Sequence, residues 1–204
     1  MDIEDENGKK IDVKKVETVE QHLANKFIKE DDIVLELGAR YGSVSCVINS
    51  KLNNKMNQVV VEPDKRVWLA LDKNRQKNEC NFHIVNGFIS KRKLDLKNLN
   101  CCRGGYGSTF FDTNETEIPS YTLDEIKTKY GLKFNVLVAD CEGFLERFFD
   151  ENPECYDELR MIIFEKDYPN KCNYDKIKKE LVKKGFKKVD LFKKVDKQNV
   201  FIKL

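Results

Sequence analysis

Six acidic residues in this chain stand within the last residues of short apolar runs or within three residues after them, where a carboxylate can meet a ligand: Glu36, Glu62, Asp140, Glu142, Glu165 and Asp167. Carboxylates at such places can accept hydrogen bonds from ribose hydroxyls, remove a proton as general bases, or offer hard oxygen ligands to Mg or Mn. The first of them opens the run Glu36-Leu37-Gly38-Ala39-Arg40-Tyr41-Gly42-Ser43. Gly38 lets the backbone turn tightly, and Gly42 permits close approach where a helix would begin. A dinucleotide fingerprint would place glycine at position 40 to make room for pyrophosphate. Arg40 stands there, which disfavours a nicotinamide cofactor and suits a ligand with an amino and a carboxylate group. Glu62, at the next strand end with Pro63 behind it, lies near the spacing of about 20 residues at which an acid meets ribose. Asn86-Gly87 ends a third run, which makes Gly87 a further candidate for cofactor contact.

The elements that must position these residues alternate strand and helix. Apolar runs at 33–37, 59–61, 82–85, 134–139 and 161–164 read as strands, and 186–192 and 200–204 as a terminal pair joined by a polar turn around 194–198. Between them fall helical spacings: Val44, Val47, Ile48 and Leu52; Val67, Ala70 and Leu71; and Tyr174, Ile177 and Leu181, closing at Gly185. Thr122-Leu123-Asp124-Glu125 has capping-box form, so a helix starts there and stops at Gly131. This pattern predicts an α/β fold: a doubly wound, mostly parallel, seven-stranded sheet with an antiparallel C-terminal strand. Residues 1–204 are expected to form one domain. Val16, Val19, Leu23 and Phe27 predict an N-terminal helical cover within residues 1–30, behind a polar leader. The glycine-bearing stretch 101–121 is longer than ordinary connections and predicts a substrate loop, with Arg103 and Tyr106 as acceptor contacts.

At this point the chain resembles the FkbM-type class I methyltransferases. The resemblance rests on Glu36 to Gly42, on Val61-Glu62-Pro63-Asp64 with Leu71 and Asn74 to Asn78, on Thr122 to Glu125, and on Asp140-Cys141-Glu142-Gly143-Phe144-Leu145-Glu146. It departs from the family at Cys141, where Val or Ile is usual, and at the bulky Arg40-Tyr41 pair. The resemblance implies a Rossmann-like methyltransferase fold and S-adenosylmethionine as cofactor, held by Gly38, Tyr41, Gly42 and Glu62. With these go Glu36, Ala39, Arg40, Ser43, Pro63 and Gly87 as neighbours in the same turns. It also implies that Asp140, Glu142 and Glu165 face the reacting centre. Asp140, Glu165 and Asp167 are the candidate metal ligands, with the metal-free arrangement left open. The acceptor implied is a small molecule or glycan, with a sugar hydroxyl as the leading expectation.

Composition narrows the alternatives. Lys plus Arg is 37 and Asp plus Glu is 35, a net charge of +2, which is a weak basis for nucleic-acid binding. Only the Lys-rich stretch 176–194 supports a nucleic-acid methyltransferase, and a non-catalytic cofactor-binding scaffold stays open. Seven cysteines without metal-site spacing read as free thiols. The acidic opening and the lack of an apolar run near 18 residues predict a cytoplasmic protein without a membrane span. Of the two histidines, His83 falls near the start of its strand, away from the ligand end, and His22 lies on the N-terminal helix.

Overall fold

The computed structural model describes residues 1–97, 107–191 and 197–203. In chain order the elements are β1 (Ile3–Glu4), β2 (Lys10–Ile11), α1 (Thr18–Phe27), β3 (Val34–Leu37), α2 (Ser43–Lys51), β4 (Gln58–Glu62), α3 (Trp68–Lys77), β5 (His83–Asn86), β6 (Phe88–Ile89), β7 (Leu94–Lys97) and β8 (Thr109–Asp112). There follow β9 (Ser120–Tyr121), α4 (Leu123–Tyr130), β10 (Val136–Ala139), α5 (Leu145–Glu151), α6 (Cys155–Glu158), β11 (Met161–Glu165), α7 (Tyr174–Lys183), β12 (Phe186–Lys188) and β13 (Gln198–Lys203).

The principal sheet has seven strands in the order β12-β13-β11-β10-β3-β4-β5. β13 pairs antiparallel with both β11 and β12, whereas the contacts among β11, β10, β3, β4 and β5 are all parallel. The terminal strand therefore lies inside the sheet. Val34, Leu35 and Leu37 and all of β4 are buried, as both faces of a parallel sheet must be. Side chains alternate between the faces. Leu35, Leu37, Leu137, Ala139, Ile162 and Phe164 pack under α4, α5 and α7. Val34, Val136, Val138, Met161 and Ile163 pack with Leu23 and Ala24 of α1 and Val44 and Ile48 of α2.

Local chemistry sets the ends of the helices. Thr122 accepts from the Glu125 N–H while Glu125 accepts from the Thr122 N–H, the expected capping box, and Gly131 closes α4 in the left-handed region. Asn173 caps α7 by accepting from the Lys176 N–H.

Two features depart from the reading of the sequence. The leader is a hairpin, β1 with β2, docked on α3: Asn74 accepts from the Glu4 N–H and donates to the carbonyls of Glu4 and Tyr41, while Asn78 bonds both the N–H and the carbonyl of Asp2. Ile3 is buried as well, with Ile11 packed beside it, but strands of two residues leave no hydrophobic period to read. The stretch after β5 is also structured, with β7 pairing antiparallel with β8 and β6 pairing parallel with β9. Gly87 serves that turn, because a Cβ there would stand 2.3 Å from the Pro119 carbonyl oxygen. Arg103, Tyr106, Cys101 and Cys102, and the turn residue Lys194, lie outside the described residues.

Candidate active site

Strand register places the site. Leu37 is level with Ala139 on one side and Val61 on the other, and Ala139 is level with Phe164. The next residue of each strand therefore falls in one row: Glu165, Asp140, Gly38, Glu62 and, beyond β4, Asn86. At about 4.8 Å per strand, Asp140 and Glu62 stand roughly 10 Å apart across Gly38. Ligands of doubly wound sheets bind outside these carboxyl ends.

A cavity opens over the row. Among its walls are Gly38, Arg40, Glu62, Pro63, Asp140 and Glu142, with Phe88, Ile89, Leu96, Phe110 and Phe144 supplying an apolar side. The β7–β8 hairpin contributes Leu96, Gly107, Ser108 and Phe110, so the described part of the expected substrate loop reaches the site. Phe144 packs against Phe88 at 6.0 Å and edge-on against Phe110 at 5.1 Å between ring centroids. A smaller cavity adjoins it and is lined by Glu36, Ala39, Asp140, Glu165 and Gln198. Leu37, Gly38, Asp140 and Glu17 belong to both.

The glycine turn is built for close approach of backbone to backbone. A Cβ on Gly38 would lie 1.8 Å from the Asp140 carbonyl oxygen, so glycine there lets β3 and β10 close up beneath the ligand. Arg40 occupies the left-handed region at φ 42°. Its N–H donates to Glu62 Oε2 at 2.7 Å, and the Asp64 N–H donates to Oε1 at 2.7 Å. Glu62 is thus fixed by one amide on each oxygen, with lone pairs left for further donors. Burial raises its pKa to about 7 against the pull of those amides.

The other candidates divide. Asp140 sits at the cavity floor and its pKa is raised well above the usual carboxylate range, first by burial and then by repulsion from Glu165 and Glu142. Burial and Asp167 raise Glu142 to about 7, opposed by the Gly107 N–H, which donates to its Oε1 at 3.1 Å. Glu165 rises to about 7 through burial and the proximity of Glu20, with Lys197 at 3.9 Å opposing. Glu36 shares its sheet face with Val34 and lies under α2, accepting from Ser45 Oγ at 2.9 Å and Gln58 Nε2 at 3.0 Å. Tyr41 is buried away from the cavity with its hydroxyl on Glu6, and Ser43 donates to Glu17. Asp167 turns aside to the Tyr168 N–H and the Tyr174 hydroxyl. Among the described residues, no three His, Cys, Asp or Glu side chains are grouped to hold a metal ion. His83 stacks on Tyr130 at 4.2 Å at the far end of β5, and His22 is exposed.

No family model matches the chain, and no curated protein does. Solved structures do. A precorrin-6y C5,15-methyltransferase from Geobacter metallireducens GS-15 superposes with a TM-score of 0.53 over 93% of this chain and 88% of its own, at 14% identity. A ribosomal protein L11 methylase from Lactobacillus delbrueckii subsp. bulgaricus gives 0.51 over 92% and 78%, also at 14% identity. The chain has the Rossmann-like methyltransferase fold. A protein of the NADB-Rossmann superfamily from Streptococcus agalactiae gives 0.54 over 90% and 66% at 7% identity, which marks the breadth of the architecture. These identities speak to the fold, and the chemistry has to come from the site itself.

The sequence reading missed several contributors. Glu17 stands between Val16 and Val19 in the expected helical cover, where it reads as a solvated position, and the apolar wall of Phe88, Ile89, Phe110 and Phe144 cannot be told from core by residue type. Asp64 was visible only as part of a motif, yet it is buried and pairs with Arg66 at 2.6 Å and Arg40 at 3.8 Å.

Proposed function

We propose that this chain transfers a methyl group from S-adenosylmethionine to the hydroxyl of a small acceptor, with sugar hydroxyls the first class to test. The observation that carries this reading is the row across the strand ends, with Glu62 on one side of Gly38 and the cluster of Asp140, Glu142 and Glu165 on the other. The donor set suits the cofactor. Glu62 retains acceptor capacity for two ribose hydroxyls, Phe88 and Ile89 offer an apolar face for adenine, and the acids beyond Gly38 complement a cationic centre.

When bound, S-adenosylmethionine supplies a methyl group on a sulfonium, already an excellent leaving group. The protein then has to align the acceptor oxygen, exclude water and take the hydroxyl proton. Phe88, Phe110 and Phe144 close the apolar side. Glu142, poised near neutrality and partly exposed beside Asp140, is assigned the proton; its N–H partner on the β8 side ties the base to the hairpin that covers the site. The cavity lining has Arg40 as its one basic residue among the described residues, too little to hold a phosphate backbone, which sets a small acceptor ahead of nucleic acid.

The test is calorimetric titration with S-adenosylhomocysteine, with NAD as control and Glu62→Ala as the specificity check. Binding of the adenosyl ligand, weakened about tenfold or more in the variant, supports the reading. Binding of NAD alone overturns the cofactor, and binding of neither leaves the fold as a scaffold.

A further inference from the structure

Glu17 is costly where it stands. It occupies the N-cap position of α1 in the left-handed region, at φ 50° and ψ 32°, and its side chain makes no capping hydrogen bond to its own helix. A non-glycine residue in that region costs about 1–2 kcal/mol, and a Ser, Thr, Asp or Asn cap would contribute about 1 kcal/mol. The carboxylate instead crosses to the first residue of α2, where Ser43 Oγ donates to Oε2. Its other oxygen has no hydrogen bond among the described residues. Glu17 lines both cavities, at the junction where they share Gly38 and Asp140. Stability of α1 does not account for this placement.

Most acids around it have other partners, Glu20 accepting from Gln198 Nε2 and Glu165 facing Lys197 at 3.9 Å. Glu36 is held by Ser45 and Gln58, and Glu62 by two backbone amides on the adenosine side. Glu142 takes the Gly107 N–H, and Asp140 lies at the floor beneath the reacting centre. A cofactor with its ribose on Glu62 crosses Gly38 to bring its sulfonium over Asp140, and its amino-acid tail then enters the smaller cavity that adjoins there. That is where Glu17 waits. Resting on the cofactor reading above, we propose that Glu17 is the seat of the cofactor's α-ammonium group, presented by the N-terminal segment and aimed by Ser43. Burial raises its pKa, an arrangement relieved when a fixed cation arrives beside it.

Two ligands separate this role from a structural one. S-adenosylhomocysteine carries the ammonium; 5′-methylthioadenosine keeps the adenosine and the sulfur but lacks the amino-acid tail. Glu17→Gln preserves size and the bond from Ser43 while removing the charge. In the full-length protein it is expected to weaken S-adenosylhomocysteine about tenfold or more, the worth of a charge-assisted hydrogen bond, and to leave 5′-methylthioadenosine within about twofold. Equal weakening of both ligands, or of neither, overturns the proposal while wild-type binding keeps the cofactor reading intact. Failure of the wild type to bind either ligand overturns both. Should the variant fold poorly, seen as a lowered thermal midpoint, the wild type is titrated with the analogue of S-adenosylhomocysteine lacking only the amino group. A loss of about tenfold supports an anionic seat, and a change under about twofold removes it.

Discussion

Glu36 makes the sharpest quantitative prediction, because it is an ionisable group with 2% of its surface exposed and, among the described residues, no cation beside it. Burial raises its pKa from an ordinary 4.5 to about 8, although Ser45 and Gln58 donate to it. The folded pKa lies above the unfolded one, so between these values the folded state holds a proton that the unfolded state has lost. Stability is then highest below the unfolded pKa, falls as pH rises, and levels off above about 8. At about 1.4 kcal/mol per pH unit, Glu36 alone lowers stability by roughly 3 kcal/mol between about pH 5.5 and pH 8. Glu36→Gln mimics the protonated form: its amide oxygen still accepts from Gln58, and its NH2 can donate to the Ser45 hydroxyl. Urea unfolding of both proteins at the two pH values isolates the effect, since every other titrating group is common to both. The variant is expected to gain about 3 kcal/mol on the wild type over this range. If the difference between the two proteins shifts by less than about 0.5 kcal/mol, Glu36 does not titrate as a buried lone carboxyl, and the reasoning fails.

Other perturbations bear on the site and its frame. With Glu142 raised to about 7, methyl transfer is expected to climb as pH passes through neutrality and the base ionises. Glu142→Gln should abolish that climb and cut kcat about 100-fold or more, with affinity for S-adenosylhomocysteine held within about twofold. Gly38→Ala drives a Cβ to 1.8 Å from the Asp140 carbonyl oxygen at φ 89°, so thermal unfolding should report a loss of about 2 kcal/mol or more; an unchanged midpoint would show that β3 and β10 can part freely. Asn74→Ala strips three hydrogen bonds from a buried position, and amide exchange should show residues 3–11 opening while the central sheet stays protected.

Much of the frame was legible because it follows from hydrophobic runs. β3, β4, β10 and β11 are buried on both faces, and such strands announce themselves as unbroken apolar segments. Their ends announce the ligand row, since Glu62, Gly38, Asp140 and Glu165 are the residues at which those runs give way. The register adds what the sequence alone did not: these four stand abreast. Side-chain parity was available but unused, for Glu36 lies two residues after Val34 and so takes the face under α2, whereas Leu35 and Leu37 take the other. The leader hairpin was illegible because its strands are two residues long, with Ile3 and Ile11 as isolated apolar contacts and Asn74 and Asn78 supplying the rest. Glu17 was illegible for a different reason: it acts across 26 residues of chain, on Ser43, from a polar position of the helical cover that spacing alone assigns to solvent.

Arg40 looks at first like the residue that spoils a cofactor turn, and its surroundings show why it does not. Its backbone takes the left-handed conformation that glycine would have taken, and its N–H is one of the two amides that fix Glu62. Its guanidinium lies over the Tyr41 ring at 4.7 Å and reaches Asp64 at 3.8 Å. Asp64, itself buried, offsets the positive charge close to its source. What the two adjoining cavities then present is the carboxyl groups of Glu17, Asp140, Glu142 and Glu165, whose pKa values are raised first by burial and then by neighbouring acids. A pyrophosphate entering this space keeps those acids protonated and gains nothing from them, and the glycine that would have admitted it is replaced by Arg40. A sulfonium meets the opposite, and each acid it allows to ionise returns part of the desolvation cost already built into the folded protein. The same substitution that removes the dinucleotide fingerprint therefore leaves an electrostatic preference for a cationic cofactor, and that preference resides in the acids around the turn.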